Sequence, residues 1–169
     1  MNFGGVSIDP SLGYVFVNTI DEAGMGILRK QGETYARFSP LGAGTSNARF
    51  WDPAKQLPCQ APPWAHLTAV NANTGEIAWR VVLGSHDELG LKNTGSVGPG
   101  GSMATAGGLV FIGATIDRGF RAFDSRTGRI VWETKLDTGG HSNPMSYMGA
   151  DGKQYVVIVS SGINAFALE

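Results

Sequence analysis

Apolar and polar residues alternate in short stretches over most of the chain, and glycine-containing turns separate these stretches. Two regions are copies of each other: residues 67–83 read LTAVNANTGEIAWRVVL and residues 120–136 read FRAFDSRTGRIVWETKL. They share the pattern A-x-[ND]-x-x-T-G-x-I-x-W at a constant offset of 53 residues. A fixed period of this size is typical of proteins built from repeated units that bury their faces against each other.

Each copy predicts a β-hairpin. Residues that favour strands flank a tight turn at Thr74-Gly75 in the first copy and at Thr127-Gly128 in the second. Glycine adopts the positive φ that such turns need, and the preceding Asn71 or Asp124 can hydrogen-bond to its own turn. We therefore expect Asn71 and Asp124 to be turn formers.

A second hairpin precedes each copy, which makes a unit of four strands, a to d. Paired glycines, a short strand, a glycine turn and an apolar strand recur at 4–19 and 100–115, and a third such hairpin begins at Pro144. Four antiparallel strands in about 40–50 residues are typical of one β-propeller blade. The predicted strands are GVSID, SMATA and PMSYM for a; YVFVN, LVFIG and YVVIV for b; LTAVN, FRAFD and INAFA for c; EIAWRVVL and RIVWETKL for d.

The predicted fold is all-β: a partial β-propeller of consecutive four-stranded antiparallel blades, two complete and a third with three strands. Within a single domain, 1–169, the expected boundaries are 4–83 for the first blade, 100–136 for the second and 144–169 for the incomplete third. The first blade carries a long loop insertion, 20–66, of a length that is usually functional or ordered by a neighbour. Because a complete propeller needs about four blades or more, we expect the chain to be a piece of a larger ring.

Composition supports a turn-rich β protein and excludes some functions. The chain has 25 glycines and 16% charged residues, and its net charge of −1 argues against a nucleic-acid partner. No apolar run of about 18 residues predicts a membrane span. The start, MNFGG, lacks the basic and apolar regions of a signal peptide, so an export signal is expected upstream if the parent protein is exported. Cys59 is the single cysteine and is interpreted as an ordinary loop thiol.

Three longer segments carry a family resemblance. They are LPCQAPPW followed by LTAVNANTGEIAW, GGSMATAGGLVFIGATIDRGFRAFDSRTGRIVWETKL, and NPMSYMGADGKQYVVIVSSG. Together they resemble the last third of a pyrroloquinoline quinone (PQQ) dependent dehydrogenase of the quinoprotein glucose dehydrogenase type, which has an eight-bladed propeller. The repeat resembles that family's tryptophan-docking motif, which non-catalytic propellers of the outer-membrane assembly lipoprotein type share. The resemblance implies that Trp79 and Trp132, with Gly75 and Gly128, dock neighbouring blades.

The resemblance also implies a cofactor site. In this family PQQ lies on the propeller axis beside Ca²⁺ and accepts a hydride equivalent from an alcohol or aldose. Asn2 is a candidate cofactor-binding residue, although the following Phe3 stands where relatives carry Trp. The equivalent segments of the next two blades are 99–102 and 140–143, and the latter makes His141 a second candidate.

The remaining functional groups of the family belong to its earlier blades. These groups are the aspartate base, the basic partner near the quinone, the stacking tryptophan and the Ca²⁺ ligands. We therefore expect no catalytic residue, no metal ligand and no stable binding of PQQ or Ca²⁺ by this chain alone. The loop Ser160–Gly162, which helps to cover the axial site in relatives, is shortened here.

Other polar residues are interpreted as structural. His66 and His86 are expected to be loop histidines without a visible partner, and Asp87-Glu88 to be a charged loop rather than a metal site. A turn with a surface ion pair is expected at Asp117-Arg118.

The predicted function is that of a C-terminal fragment of a PQQ-dependent dehydrogenase that oxidises an aldose, polyol or alcohol, inactive alone. By resemblance, its parent is periplasmic and passes electrons to a quinone or a cytochrome. The alternative is a non-catalytic, propeller-type interaction module. The expected partners are the remaining blades of the parent or other copies of the chain, because exposed blade faces and strand edges favour a homo-oligomer if the chain is isolated.

Overall fold

The computed structural model describes residues 4–38 and 48–167. The strands, in chain order, are β1 (Ser7–Asp9), β2 (Tyr14–Ile20), β3 (Gly24–Met25), β4 (Ile27–Gln31), β5 (Thr34–Phe38), β6 (Ala48–Arg49), β7 (Trp51–Asp52), β8 (Leu57–Pro58), β9 (Ala65–Asn71), β10 (Ile77–Val82), β11 (Ser102–Ala104), β12 (Leu109–Ile112), β13 (Gly119–Asp124), β14 (Ile130–Lys135), β15 (Met145–Met148), β16 (Gln154–Val159) and β17 (Ile163–Ala167). A short 3₁₀ helix spans Asp87–Leu89. Over these two ranges, the structure contains no helix that is long and apolar enough to cross a membrane.

Three antiparallel sheets follow one another along the chain and are named blade 1, blade 2 and blade 3. Their strand orders are β1-β2-β9-β10, β11-β12-β13-β14 and β15-β16-β17. Each blade is a meander in which neighbouring strands pair in sequence order, apart from the insertion between β2 and β9. The predicted all-β partial propeller, with two four-stranded blades and one of three strands, is confirmed.

The two repeated turns are closed by the side chains that the sequence indicates. The Asp124 carboxylate accepts hydrogen bonds from the backbone N–H groups of Arg126 at 3.1 Å and Thr127 at 2.9 Å. In blade 1, the Asn71 side-chain oxygen accepts a bond from the N–H of Asn73 at 2.9 Å. The prediction that Asn71 and Asp124 are turn formers is confirmed.

A β-bulge recurs just before each repeated tryptophan. In β10 the pairing steps from Ile77 opposite Val70 to Trp79 opposite Ala69, so one residue is left over. The same shift occurs in β14 just before Trp132. A bulge increases the local twist and changes the direction of the next side chain. Because the bulge recurs, Trp79 and Trp132 leave their strands in equivalent directions.

The hydrophobic core lies between blades rather than within them. One cluster combines residues of blades 1 and 2, and a second combines residues of blades 2 and 3. The buried members of the first are Phe16, Leu67, Ala69, Leu83, Val110, Ile112, Ala114 and Phe123. Those of the second are Phe120, Leu136 and Ile158, with Phe111, Val156 and Phe166 packed against them. Because the blades bury their faces against each other, the stability of one blade depends on its neighbour.

The insertion between β2 and β9 forms a second compact unit, Asp21–Trp64. No strand is predicted there from the sequence, whereas the described residues of this unit form three two-stranded ladders, β3-β6, β4-β5 and β7-β8. Their strands are two to five residues long, which is too short for a period-2 pattern to stand out. Cys59 lies in this unit with an exposed thiol.

Candidate functional site

The segments that precede the first strand of each blade meet in the structure, and we call them the inner rim: 4–5, 99–102 and 140–143. Gly4 of blade 1 and Gly101 of blade 2 lie in direct backbone contact, because a β-carbon on Gly4 would overlap the Gly101 nitrogen. The strands that follow them, β1 and β11, also contact each other. Glycine is needed at both positions for this close approach.

The third rim segment joins the other two through its backbone. A β-carbon on Gly100 would lie 2.9 Å from the carbonyl oxygen of His141. The His141 side chain is exposed, and its ring lies over Gly139, where a β-carbon would be 2.7 Å from Nε2. Of the two predicted cofactor-binding residues, His141 is thus at the rim, whereas Asn2 lies outside the described residues.

Two asparagine side chains hold the rim together. The N–H of Gly101 donates to Oδ1 of Asn143 at 2.7 Å, and Nδ2 of Asn143 donates to the carbonyl of Gly4 at 2.8 Å. Asn18, which is buried in β2, donates from Nδ2 to the carbonyl of Gly100 at 2.8 Å. Asn143 therefore connects all three blades, and Asn18 connects blade 1 to blade 2.

Trp79 forms a separate contact between blades 1 and 2. Its ring stacks near Phe16 of its own blade, with 5.7 Å between ring centroids. Its Nε1 donates to the carbonyl of Ser125 in blade 2 at 2.9 Å. The ring also covers the turn of blade 2, because a β-carbon on Gly128 would lie 2.6 Å from Cε3 of Trp79. Gly128 is buried as a result.

Gly75 of blade 1 and Trp132 of blade 2, the counterparts of Gly128 and Trp79, have different surroundings. Gly75 is exposed, and a β-carbon there would meet nothing within 4 Å. Trp132 remains 37% exposed and packs against Phe120 of its own blade and Phe166 of blade 3, with centroid distances of 5.7 and 5.3 Å. Within the described residues, a repeat tryptophan therefore covers the glycine turn of the next blade at one place, where Trp79 packs on Gly128.

An ionic network in blade 2 binds the segment that links blades 1 and 2, with Asp117 and Arg121 buried and Glu133 partly exposed. Asp117, whose side chain is fully buried, pairs with Arg121, and Arg121 also contacts Glu133 at 2.8 Å. The Asp117 carboxylate accepts a hydrogen bond from the N–H of Ser85 in the link between blades 1 and 2, at 3.0 Å. The prediction of a surface ion pair at Asp117-Arg118 is wrong. The partner of Asp117 is Arg121 on β13, and both side chains are buried.

The surroundings of Asp117 favour its charged form. Burial raises the pKa of this carboxyl. Hydrogen bonds from Arg121, Thr115 and the Gly119 N–H, together with the positive charge of Arg121, outweigh burial and lower the pKa from 3.8 to about 2. The carboxylate is therefore held ionised and committed to its partners.

Neighbouring residues of the link between blades 1 and 2 are also structural. His86 is buried, and its Nδ1 lies 2.9 Å from Oγ1 of Thr94, so the expectation of a histidine without a partner is wrong. Burial lowers the pKa of His86. Asp87 pairs with Lys135 at 3.0 Å, and both groups are about half exposed. No group of three potential metal ligands occurs among the residues that the structure describes.

Sequence reasoning missed Asn18 and Arg121, although a signal was present. Each stands inside a strand pattern that is otherwise apolar, YVFVNTI for Asn18 and GFRAFD for Arg121. A polar residue in such a position needs a buried partner, but the pattern does not say which one.

Comparison with known proteins gives consistent matches. The family profile described as "PQQ: Glucose/ethanol/alcohol dehydrogenase, beta-propeller domain" matches residues 1–156. A quinate/shikimate dehydrogenase (quinone) of Acinetobacter baylyi is 36% identical over 96% of the chain and 23% of its own length. Quinoprotein glucose dehydrogenase A of Acinetobacter calcoaceticus is 36% identical over 79% of the chain and 16% of its own length. A glycerol dehydrogenase large subunit of Gluconobacter thailandicus is 31% identical over 95% of the chain and 26% of its own length.

Solved structures agree on the fold. The quinohemoprotein alcohol dehydrogenase of Comamonas testosteroni superposes with a TM-score of 0.65 at 25% identity, over 96% of the chain and 22% of that protein. A europium-containing methanol dehydrogenase gives a TM-score of 0.58 at 23% identity, over 90% of the chain and 23% of that protein. The chain spans about a quarter or less of the length of these relatives. It belongs to the β-propeller family of PQQ-dependent quinoprotein dehydrogenases, whose members act on alcohols, sugars and quinate.

Proposed function

We propose that these blades are the C-terminal part of a propeller in a PQQ-dependent dehydrogenase that oxidises an aldose, polyol, alcohol or related hydroxy compound. The family match over residues 1–156 carries the proposal. The names of the relatives span quinate, glucose and glycerol, so the substrate is proposed as a class. A quinone or a cytochrome is the proposed electron acceptor, and the periplasm is the proposed location.

The inner rim fits PQQ in its chemistry. Its described segments are rich in glycine and contain no carboxylate, so a planar polyanionic ligand meets no like charge there. When bound, PQQ supplies the two-electron redox chemistry that protein side chains lack. Asn2 and His141 are the residues of this chain that we propose to contact it.

Calcium does not fit the rim by itself. The rim segments that the structure describes carry no Asp or Glu, and Ca²⁺ prefers oxygen ligands from several such groups. We therefore assign no Ca²⁺ ligand to these segments. Its proposed role in the parent protein is that of rim scaffold, inactive alone, within one domain with blades at 4–83, 100–136 and 144–169.

The remaining blades of the parent, or other copies of the chain, are the proposed partners. The different surroundings of Gly75 and Gly128 support this, because only Gly128 is covered by a tryptophan from the preceding blade. If a further blade packs on blade 1, Gly75→Ala should become strongly destabilising in the longer protein. An unchanged, small effect there would argue against such packing.

Reconstitution tests the proposed function. Two proteins are mixed with PQQ and Ca²⁺: the chain alone, and the longer protein of which we propose it to be a part. Reduction of an artificial dye is then followed with glucose, glycerol, quinate or ethanol as substrate. We expect activity from the longer protein only. Dye reduction by the 169-residue chain alone would contradict the proposal that it is inactive alone. A longer protein that neither binds PQQ nor reduces the dye would contradict the proposed dehydrogenase function.

A further inference from the structure

Asn143 occupies a junction that no other described side chain shares. It lies in the rim segment just before the first strand of blade 3. Its Oδ1 accepts a hydrogen bond from the N–H of Gly101 in blade 2 at 2.7 Å, and its Nδ2 donates to the carbonyl of Gly4 in blade 1 at 2.8 Å. The partner in blade 1 is 139 residues away in sequence. One planar amide thus joins the first segments of three consecutive blades.

The two bonds require an amide. One partner is a donor and the other an acceptor, and at neutral pH, where Asp and Glu are ionised, Asn and Gln offer both on neighbouring atoms of one planar group. A carboxylate at 143 would keep the bond from Gly101 but would place a negative oxygen against the Gly4 carbonyl. Alanine would leave both backbone groups without their partner.

The position of Gly4 matters because the proposed cofactor contact, Asn2, lies two residues before it. Gly4 and Gly101 are in close backbone contact. Asn18 fixes the other side of the same segment through Gly100 at 2.8 Å. Asn143 therefore holds Gly4, the first described residue after Asn2 in the sequence.

We propose that Asn143 is a positioning residue for the cofactor: its two bonds, to the Gly101 N–H and the Gly4 carbonyl, align the inner rim for a planar anionic quinone. Asn143 itself does not contact the cofactor. This inference rests on the proposed function.

The test uses the longer protein to which we propose that these blades belong, as wild type and with Asn143→Ala or Asn143→Asp. Asn164→Ala is the matched control, because the Asn164 amide bonds only within blade 3, to Ser160 at 2.9 Å and Gly162 at 3.2 Å. PQQ affinity is measured by titrating the apo-protein in the presence of Ca²⁺ while protein fluorescence is followed. Hydrogen exchange at the Gly101 amide and the melting temperature are measured without PQQ.

We expect Asn143→Ala to weaken PQQ binding about tenfold, because the rim loses both of its hydrogen bonds to this amide. Asn143→Asp should weaken it further, and Asn164→Ala should leave it unchanged at a similar melting temperature. Exchange at the Gly101 amide should rise in the Asn143→Ala variant without any cofactor. If wild-type protein binds PQQ and Asn143→Ala binds it equally well, or if affinity falls equally in the control, the positioning role is wrong. If wild-type protein does not bind PQQ, the proposed function itself fails and the positioning role fails with it.

Discussion

Replacing Gly128 by alanine tests whether the Trp79 contact between blades 1 and 2 stabilises the array. Gly128 has a φ of 71°, and Gly75, its counterpart in blade 1, has a φ of 77°. Alanine at either position adopts the left-handed region at a cost of about 1–2 kcal/mol. Only at Gly128 does the new methyl group meet an indole, at 2.6 Å from Cε3 of Trp79.

The additional cost at Gly128 can be estimated from what the indole loses. Moving a packed side chain costs about 1–3 kcal/mol, and weakening the bond from Trp79 to the Ser125 carbonyl adds about 1 kcal/mol. We therefore expect Gly128→Ala to cost about 3–6 kcal/mol in the free energy of unfolding and Gly75→Ala about 1–2 kcal/mol. Urea unfolding of the 169-residue chain, followed by tryptophan fluorescence, measures both.

A third variant separates the contact from the backbone strain. In a Trp79→Ala background the methyl group of Gly128→Ala no longer meets the indole atoms that lie nearest to it, so most of the excess cost at Gly128 should disappear and the two glycine substitutions should become nearly equivalent. Equal losses from Gly128→Ala and Gly75→Ala in the protein that retains Trp79 would refute the reasoning. So would an excess at Gly128 that persists when Trp79 is absent.

Three further substitutions probe the same junctions. The pKa of Asp117 is lowered to about 2 in the folded protein, so its contribution to stability is complete above pH 4 and is lost as the pH falls towards 2. The melting temperature should therefore fall over this pH range. Asp117→Asn should make the melting temperature depend less on pH there. Asn18→Ala should cost about 1–3 kcal/mol in urea unfolding, because the buried Gly100 carbonyl loses its donor, and a loss below about 0.5 kcal/mol would contradict that bond. Lys135→Ala removes a half-exposed ion pair with Asp87 and the bond from Nζ to the backbone carbonyl of Asp117 at 2.8 Å. It should cost about 1–2 kcal/mol, and high salt should remove only the ion-pair part of that loss, so a loss that salt abolishes completely would contradict the bond to the carbonyl.

The strands of the three blades could be predicted from sequence to within a few residues, whereas the contacts of the site could not. Trp79 was expected to touch a neighbouring blade, and its partners Ser125 and Gly128 are visible only in the structure. The rim segments were recognised as equivalent, but the bonds of Asn143 were not foreseen. The strands of the insertion were missed because ladders of two to five residues leave little periodic signal.

The sequence by itself determined the local geometry: alternation set the strands, and the side chains of Asn71 and Asp124 with the following glycines set the turns. These features depend on neighbours within a few residues, so they can be found in the order of the amino acids. Tertiary structure alone decided that Asp117 pairs with Arg121 rather than Arg118, and that Asn143 reaches a carbonyl 139 residues away. Such contacts arise only when blades bury their faces against each other, because packing determines which polar groups lose water together and must become partners.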